Sequence, residues 1–365
     1  MTHRIYNFNP GPAALPLEVL QRAQEEFLEV QSYGMSLMEM SHRSKHVEEL
    51  NEETQQLLLE LLGLSEDYHV LFMGGGASTQ FALLPLNFLA DGQVAHYVLS
   101  GSFSEKAYNE AVYVGNARIA ASSKERNWRT IPNMPDPSEL FLGNPPAYVH
   151  ITTNNTIEGS QYSTIPDTGT IPLIADMTSD MLSRKLDFRQ FAFMYAGAQK
   201  NLGPAGVTAV IVRDDMLSRA SRDIPVILRY ETFVRNKSLY NTPPVHSIYM
   251  MNLVLKWARE QGGVEALERG NIEKANLLYN ALDTSGGFYQ GIIDKKDRSM
   301  MNITWRMADE AMEGRFIRES EQHGFDGLAG HRSVGGLRAS AYNAVPLEAC
   351  RALADFMADF QRRNG

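Results

Sequence analysis

Apolar residues first recur at helical spacing after Pro16, where LEVLQRAQEEFLEV puts Leu17, Leu20, Phe27 and Leu28 on one face and predicts a helix over 17–30. A second helix is predicted from near Ser41 and Ser44 through KHVEELNEETQQLLLELLGL, with Gly63 as its stop. From Tyr68 the period changes. Short β-rich runs (YHVLFM, VAHYVL, RIAA, AYVHIT, IPLIA, FAFMYA, VTAVIVR) alternate with helical ones such as TQFALLPLNFLA and SEKAYNEAVYV. Strands that are apolar on both sides and separated by helices predict an α/β fold, a mostly parallel sheet covered on both faces.

After Arg213 the texture changes again. A loop around NKSLYNTPP precedes a long helix, HSIYMMNLVLKWAREQ, which stops at Gly262 and Gly263; a second helix, VEALERGNIEKANLLYNAL, follows at once. Beyond Asp283 the order is strand (MNITWRM), helix (DEAMEGRFIRESEQH), strand (LRASAYN) and helix (PLEACRALADFMADFQRR), which predicts a smaller α+β domain. The expected division is therefore a large domain over 1–262, whose N-terminal segment also contributes to the active site, and a small C-terminal domain over 263–365. Trp257 and the methionines of the long helix are expected at the interface between them, and His246, after the prolines, in a structural role.

The length of 365 residues agrees with two domains, and a hydrophobic fraction of 44% excludes intrinsic disorder. Lysine and arginine number 34 against 43 aspartates and glutamates, a formal charge of −9, which argues against a general nucleic-acid binder but not against a local basic pocket. The one cysteine, Cys350, lies in the helical run LEACRALADF and allows no intramolecular disulfide. No apolar run approaches the ~20 residues of a membrane span, the N-terminus lacks a signal-peptide core, and no zinc-type ligand spacing occurs. The expectation is a cytoplasmic protein without a metal, a membrane or a nucleic-acid partner.

Three local features carry chemistry. Lys200, in YAGAQKNLGPAG, follows the apolar run FAFMYA and is enclosed by small residues, a setting that desolvates an amine and frees it for Schiff-base formation. Asp176 ends the strand IPLIA, where α/β folds place their ligands, although it could also cap a following helix. MGGGAST, between a strand and a helix, lets backbone approach an anion at a helix N-terminus; it is neither a dinucleotide fingerprint nor a nucleotide-triphosphate loop, which leaves a smaller phosphate. Lysine, strand-end aspartate and phosphate cradle together are what pyridoxal phosphate requires.

At these residues the sequence resembles the phosphoserine aminotransferase family of class V, fold-type I pyridoxal-phosphate enzymes. The matching segments are NFNPGPAALP, MEMSHRSK, GGGASTQF, IADMTS, YAGAQKNLGPAG, YNTPP and GHRSVGGLRASAYNAVPLE, spanning almost the whole chain. The resemblance implies a seven-stranded-type sheet and assigns roles position by position. Lys200 is the Schiff-base lysine and Asp176 the partner of the pyridinium nitrogen; Ala77, Ser78 and Gln199 bind the cofactor phosphate. Phe103, in LSGSFSEK, stacks on the cofactor where many members have tryptophan. Thr156 binds near the ring hydroxyl, with Thr153 as competitor. Asn241 and Thr242 reach the cofactor phosphate of the other subunit, which implies a homodimer with composite active sites. Arg338 takes the substrate α-carboxylate, and His42, Arg43, His331 and Arg332 form the phosphate side of one pocket. Arginine suits both anions because its planar group donates paired hydrogen bonds, and a cation at a helix start, as at Arg43, opposes the helix dipole and so favours a functional reason.

The implied reaction is reversible ping-pong transamination of phosphoserine and 2-oxoglutarate, with 3-phosphohydroxypyruvate and glutamate as counterparts, in serine biosynthesis. A phosphorylated hydroxythreonine of bacterial pyridoxine synthesis stays open as a second substrate. An alanine–glyoxylate type aminotransferase of class V shares Lys200 and Asp176 but has no need of the His-Arg pairs. A non-catalytic regulatory module on the same fold is opposed by the intact Lys200, Asp176 and Arg338. A cysteine desulfurase is opposed by the placement of Cys350.

Overall fold

The computed structural model describes residues 4–220 and 223–365. A two-residue strand β1 (Tyr6–Asn7) precedes helices α1 (Leu17–Glu25) and α2 (Lys45–Leu62). Strand β2 (Tyr68–Met73), helix α3 (Gly76–Phe88), strand β3 (Val94–Leu99), helix α4 (Ser102–Val114) and strand β4 (Ala117–Ser122) then alternate. Strand β5 (Pro146–Thr152) leads into a hairpin of β6 (Asn154–Asn155) and β7 (Ser160–Gln161), followed by β8 (Leu173–Asp176), β9 (Phe191–Gly197) and β10 (Thr208–Arg213). Short helices α5 (Asp214–Leu217) and α6 (Tyr230–Arg235) connect to the long pair α7 (Val245–Glu260) and α8 (Gly263–Asp283). The chain closes with β11 (Gln290–Gly291), β12 (Asn302–Arg306), α9 (Glu310–Gln322), β13 (Phe325–Asp326), β14 (Leu337–Ser340) and α10 (Leu347–Asn364).

The seven expected strands form one sheet in the order β2-β10-β9-β8-β5-β3-β4, in which only β10 runs against its neighbours. Alternate residues feed two cores. Val70, Ile151 and Ile211 face Leu57, Leu58 and Met251 of α2 and α7; Leu71, Tyr148 and Val212 face Phe81, Leu84 and Ala107 of α3 and α4. This two-sided burial is why the strands read as continuous apolar runs. Because β2, β3, β5, β8 and β9 are parallel, the turns after Met73, Leu99, Thr152, Asp176 and Gly197 all open on one edge of the sheet, and that edge holds the candidate chemistry.

The C-terminal strands β11, β12 and β14 make a separate antiparallel sheet packed on a third core around Trp305, Phe316 and Leu353. The N-terminal segment joins that core: β1 pairs in parallel with β13, and Phe8 is buried among its side chains. A two-residue strand has no periodicity to detect, so this pairing has no sequence signal.

α2 has the predicted limits because the Ser44 side chain accepts the Val47 N–H and Gly63 takes φ 64° at the C-cap. α1 departs from expectation. It ends at Glu25, and its buried face is Val19 and Ala23, which pack against Tyr249, Met250 and Val254, while Phe27 and Leu28 are 49% and 81% exposed. The apolar spacing set the period, but contact with α7 chose the phase. α3 and α4 begin earlier than their apolar periodicity suggested, at Gly76 and Ser102, which brings the glycine turn and Phe103 into first helical turns. Met251 packs in the core against the main sheet and Met250 in the core with α1 and α2, while Trp257 is partly buried against both and lines a cavity with Leu267, Lys274 and Val345.

Candidate active site

Lys200 follows β9 in a turn closed by the Gly203 N–H donating to the Ala198 carbonyl at 2.8 Å. Its side chain is only 8% exposed, and burial brings its amine from the usual lysine range down to about 8, with Asp176 opposing the shift and Arg338 adding to it. Nζ donates to Thr156 Oγ1 and stands 5.6 Å from the centre of the Phe103 ring. The N-terminal segment covers this turn: the Ala13 N–H donates to the Gln199 carbonyl at 2.8 Å. Gly11 passes the lysine at φ 140°, a conformation other residues avoid, where a Cβ would lie 3.4 Å from Lys200 Cγ.

Asp176 ends β8 in register with Thr152 and Tyr195 of the flanking strands and is 4% exposed. Its Oδ1 accepts the Thr178 N–H at 2.9 Å, an Asx turn that aims the carboxylate out of the strand end. Burial pushes its pKa up, against the Thr178 hydrogen bonds and the charge of Lys200. A cationic nitrogen placed against it would hold it ionised.

The β6–β7 hairpin supplies Thr156. Its hydroxyl meets Lys200 and its carbonyl accepts Arg338 Nη1 at 2.9 Å, so one residue ties the lysine to β14. Thr153 turns away: its N–H and hydroxyl both donate to the Asp176 carbonyl, at 3.0 and 3.3 Å. Arg338 is buried, and its Nε has no partner among the described residues. His331 lies close enough to Arg338, Lys106 and Arg332 for their charges to add to the burial that lowers its pKa.

Ala77 and Ser78 lie in the first turn of α3, where backbone N–H groups have no helical acceptor. Gly75 (φ 88°) and Gly76 (φ 66°) form the turn before them, and a Cβ on Gly75 would fall 1.9 Å from Thr79 Oγ1, so the cradle requires glycine there. The Gln199 amide folds back over Gly197, on the turn that also holds Lys200.

The remaining expected residues form a second group. His42 Nδ1 lies 3.2 Å from Thr242 Oγ1, while His42 Nε2 is buried with no partner among the described residues; Arg43, Asn241 and Thr242 are exposed. Among the described residues, no hydrogen bond or ion pair joins His42 or Arg43 to His331, Arg332 or Arg338.

Two polar residues of the site went unmarked in the sequence. Thr178 had a usable signal, a threonine two residues after aspartate. Glu158 had none. It is 5% exposed, and its Oε1 accepts the Ser102 N–H at 2.8 Å and the Ser102 hydroxyl at 2.5 Å, capping the helix that carries Phe103; Oε2 has no partner among the described residues. Burial raises its pKa, with Ser102 and Arg338 opposing. Cys350 is buried with its thiol pushed up to about 12, unsuited to a nucleophile, and His246 packs near Phe27 and Tyr249 as a structural ring. Among the described residues no cluster of three or more His, Cys, Asp or Glu could hold a metal.

A desolvated lysine, a buried carboxylate, a glycine-built anion cradle and an orphaned guanidinium nitrogen fit pyridoxal phosphate and an anionic amino acid. The depressed lysine has a measurable consequence. In the cofactor-free chain a pKa of about 8 leaves about one amine in ten unprotonated at pH 7, against about one in three thousand for an unshifted lysine. Since only the neutral amine attacks a carbonyl, capture of pyridoxal phosphate followed by visible absorbance should accelerate with pH and level off above about 8. A rate still climbing tenfold per pH unit beyond about 9.5 would show that Lys200 is not held down.

The model of the class V aminotransferase family matches residues 5–353. The curated phosphoserine aminotransferase of Niallia circulans is 56% identical over 365 residues, covering 100% of each chain. A solved phosphoserine aminotransferase from Bacillus circulans subsp. alkalophilus matches with a TM-score of 0.96 and 56% identity over 100% of both chains. A pyridoxal-phosphate-bound phosphoserine aminotransferase from Trichomonas vaginalis matches at 0.91 and 37% identity, over 97% of this chain and 100% of that one. The chain therefore belongs to the class V aminotransferases, among the phosphoserine aminotransferases, which work with pyridoxal phosphate.

Proposed function

We propose that the chain exchanges an amino group between phosphoserine and 2-oxoglutarate, working in the cytoplasm toward phosphoserine from 3-phosphohydroxypyruvate and glutamate. One observation carries the reading: Arg338 shares Thr156 with the buried Lys200, its charge and that of Arg332 reach His331, and none of the three is in an ion pair among the described residues. Such cations await an acidic ligand with more than one anionic group.

When bound, pyridoxal phosphate supplies an aldehyde carbon that condenses with amines and a ring that withdraws electrons from the bond being broken. Lys200 Nζ, oriented by Thr156 Oγ1, takes a proton from the substrate α-carbon and gives one back, a role suited to a pKa of about 8. Asp176, fixed by Thr178, keeps the ring nitrogen protonated. Phe103 stacks on the ring, and Ala77, Ser78 and Gln199 hold the cofactor phosphate. Arg338 binds the substrate α-carboxylate, with the Thr156 carbonyl holding Nη1 and the orphaned Nε among the donors left for it. His331 and Arg332 face the distal phosphate or the glutamate γ-carboxylate. Residues 1–262 carry the cofactor in this reading, and residues 263–365 bring Arg338, His331 and Arg332 against it.

The protein acts as a homodimer in which His42, Arg43, Asn241 and Thr242 of each subunit complete the site of the other. Support comes from the His42–Thr242 contact, which groups these residues on one rim, and from the exposed side chains around it. Phe27, 6.4 Å from the His246 ring, Tyr33, 4.8 Å from His46, and Leu28, Met35, Met38 and Tyr240 leave apolar surface that association would cover.

Loaded enzyme should turn over phosphoserine with 2-oxoglutarate far faster than alanine with glyoxylate; the reverse preference assigns it to the alanine–glyoxylate type. Arg43→Ala should lower kcat/KM for phosphoserine roughly 10- to 100-fold, the equivalent of one charge-assisted contact of about 1.5–3 kcal/mol, and cost glutamate less. Full retention of phosphoserine turnover would remove Arg43 from the site.

A further inference from the structure

α4 carries Phe103 in its first turn and Lys106 three residues later, so the two side chains share a face. Lys106 Nζ stands 5.0 Å from the centre of the Phe103 ring, and Lys200 Nζ stands 5.6 Å from the same centre. One ammonium is exposed and the other buried, with the ring within reach of both. Glu110 has the helical spacing to pair with Lys106, and Glu105 is its neighbour in sequence. Neither does: Glu105 pairs with Lys124, and among the described residues Lys106 takes part in no ion pair. Its side chain lies over Phe103 instead. From there its charge reaches His331, where it acts together with Arg338 and Arg332. In a chain with a net charge of −9, Lys106 of α4 thus stands over the ring that Lys200 also approaches, within electrostatic reach of His331 and the arginines that act on it.

We propose that Lys106 is a further substrate-binding cation, taking the distal anionic group of the amino-acid substrate alongside His331 and Arg332. This rests on the reading of the chain given under its proposed function. The chemistry of the side chain suits the task. The two amino donors differ in length and charge, since phosphoserine ends in a compact dianion and glutamate in a planar monoanion on a longer stem. Arginine offers a rigid fork, whereas lysine brings three rotatable donors on a flexible chain and can follow either group. The cation–π contact anchors the stem without consuming the charge.

The test compares Lys106→Met, which keeps a stem able to lie on Phe103, and Lys106→Arg with the wild-type holoenzyme. With Lys106→Met, KM for phosphoserine should rise roughly fivefold and KM for glutamate roughly twofold, with kcat changing less than KM. The dependence of the phosphoserine KM on salt should flatten, because one screened attraction is gone. Lys106→Arg should restore the phosphoserine KM to within about twofold. As a readout apart from turnover, inorganic phosphate should bind the Lys106→Met holoenzyme roughly fivefold more weakly by calorimetry. Visible cofactor absorbance should stay as in the wild type. An unchanged phosphoserine KM, or a loss equal for both donors, overturns the proposal. So does a fall in cofactor absorbance in step with kcat, which would make Lys106 a support for the Phe103 ring. A wild-type enzyme that cannot use phosphoserine removes the functional reading and this proposal together, whereas normal wild-type turnover with an indifferent Lys106→Met removes only the latter.

Discussion

Replacing Lys200 by alanine is expected to lower kcat by at least about 10⁴-fold and to remove the visible absorbance of covalently held pyridoxal phosphate. In the proposed reaction the buried amine at this strand end both holds the cofactor and moves the α-proton, so its loss would remove two functions at once. Lys106, the other amine near the Phe103 ring, is exposed on the helix surface and lacks the Thr156 contact that aims Lys200. Stability should move the other way. In the cofactor-free fold the amine has a pKa of about 8 against 10.5 when unfolded, so the unfolded chain binds the proton more tightly. That penalty is fully present below pH 8 and is relieved as pH rises from about 8 to about 10.5, at a maximum of about 3 kcal/mol. Cofactor-free Lys200→Ala should therefore melt no lower than the cofactor-free parent at pH 7, and its advantage should shrink by pH 10. An inactive variant that melts well below the parent would mean that inactivity reflects damage to the fold. A variant that keeps the absorbance band would exclude Lys200 as the cofactor's attachment point.

Asp176→Asn is expected to lower kcat roughly 10²- to 10⁴-fold while leaving the fold intact. The amide oxygen can still accept the Thr178 N–H, so the turn after β8 survives. What disappears is the negative charge. Removing one member of a buried charge pair costs about 3–5 kcal/mol, and here the surviving member is the ring cation whose stabilisation speeds the reaction. The half-reaction with glutamate, followed in a single turnover, isolates this step from product release. A loss below tenfold would show that the carboxylate charge is not what the ring requires, and Asp176 would then be a strand-end cap.

Much of this site was legible as residues and little of it as geometry. The lysine after an apolar strand, the aspartate ending another, and the glycines before α3 each stand where local chain chemistry put them, because strand ends and glycine turns are encoded within a few residues. The preference for Thr156 over Thr153 came from the family resemblance and not from local chain chemistry. Both are threonines in one short segment, and only the β6–β7 hairpin, locked by the Thr304 hydroxyl donating to the Glu158 carbonyl at 2.7 Å, turns Thr156 toward Lys200. The same hairpin buries Glu158 against the start of α4, a contact between residues 56 apart in sequence that no local pattern announces. The overall charge of −9 was equally silent about the cations at the sheet edge, because net charge describes the whole surface and not one cleft.

By itself, then, the sequence determined the seven strands of the main sheet, β12 and β14, and most limits of the long helices, and it singled out the candidate reactive groups. These follow from hydrophobic periodicity, caps and turn chemistry that act over a single turn or strand. Only the tertiary structure decided which face of α1 is buried, how β1 reaches β13 across more than 300 residues, and how β14 brings Arg338 to the threonine that holds Lys200. Those outcomes depend on which distant surfaces bury each other, and the free energy that selects among them belongs to the assembled core rather than to any segment of the chain.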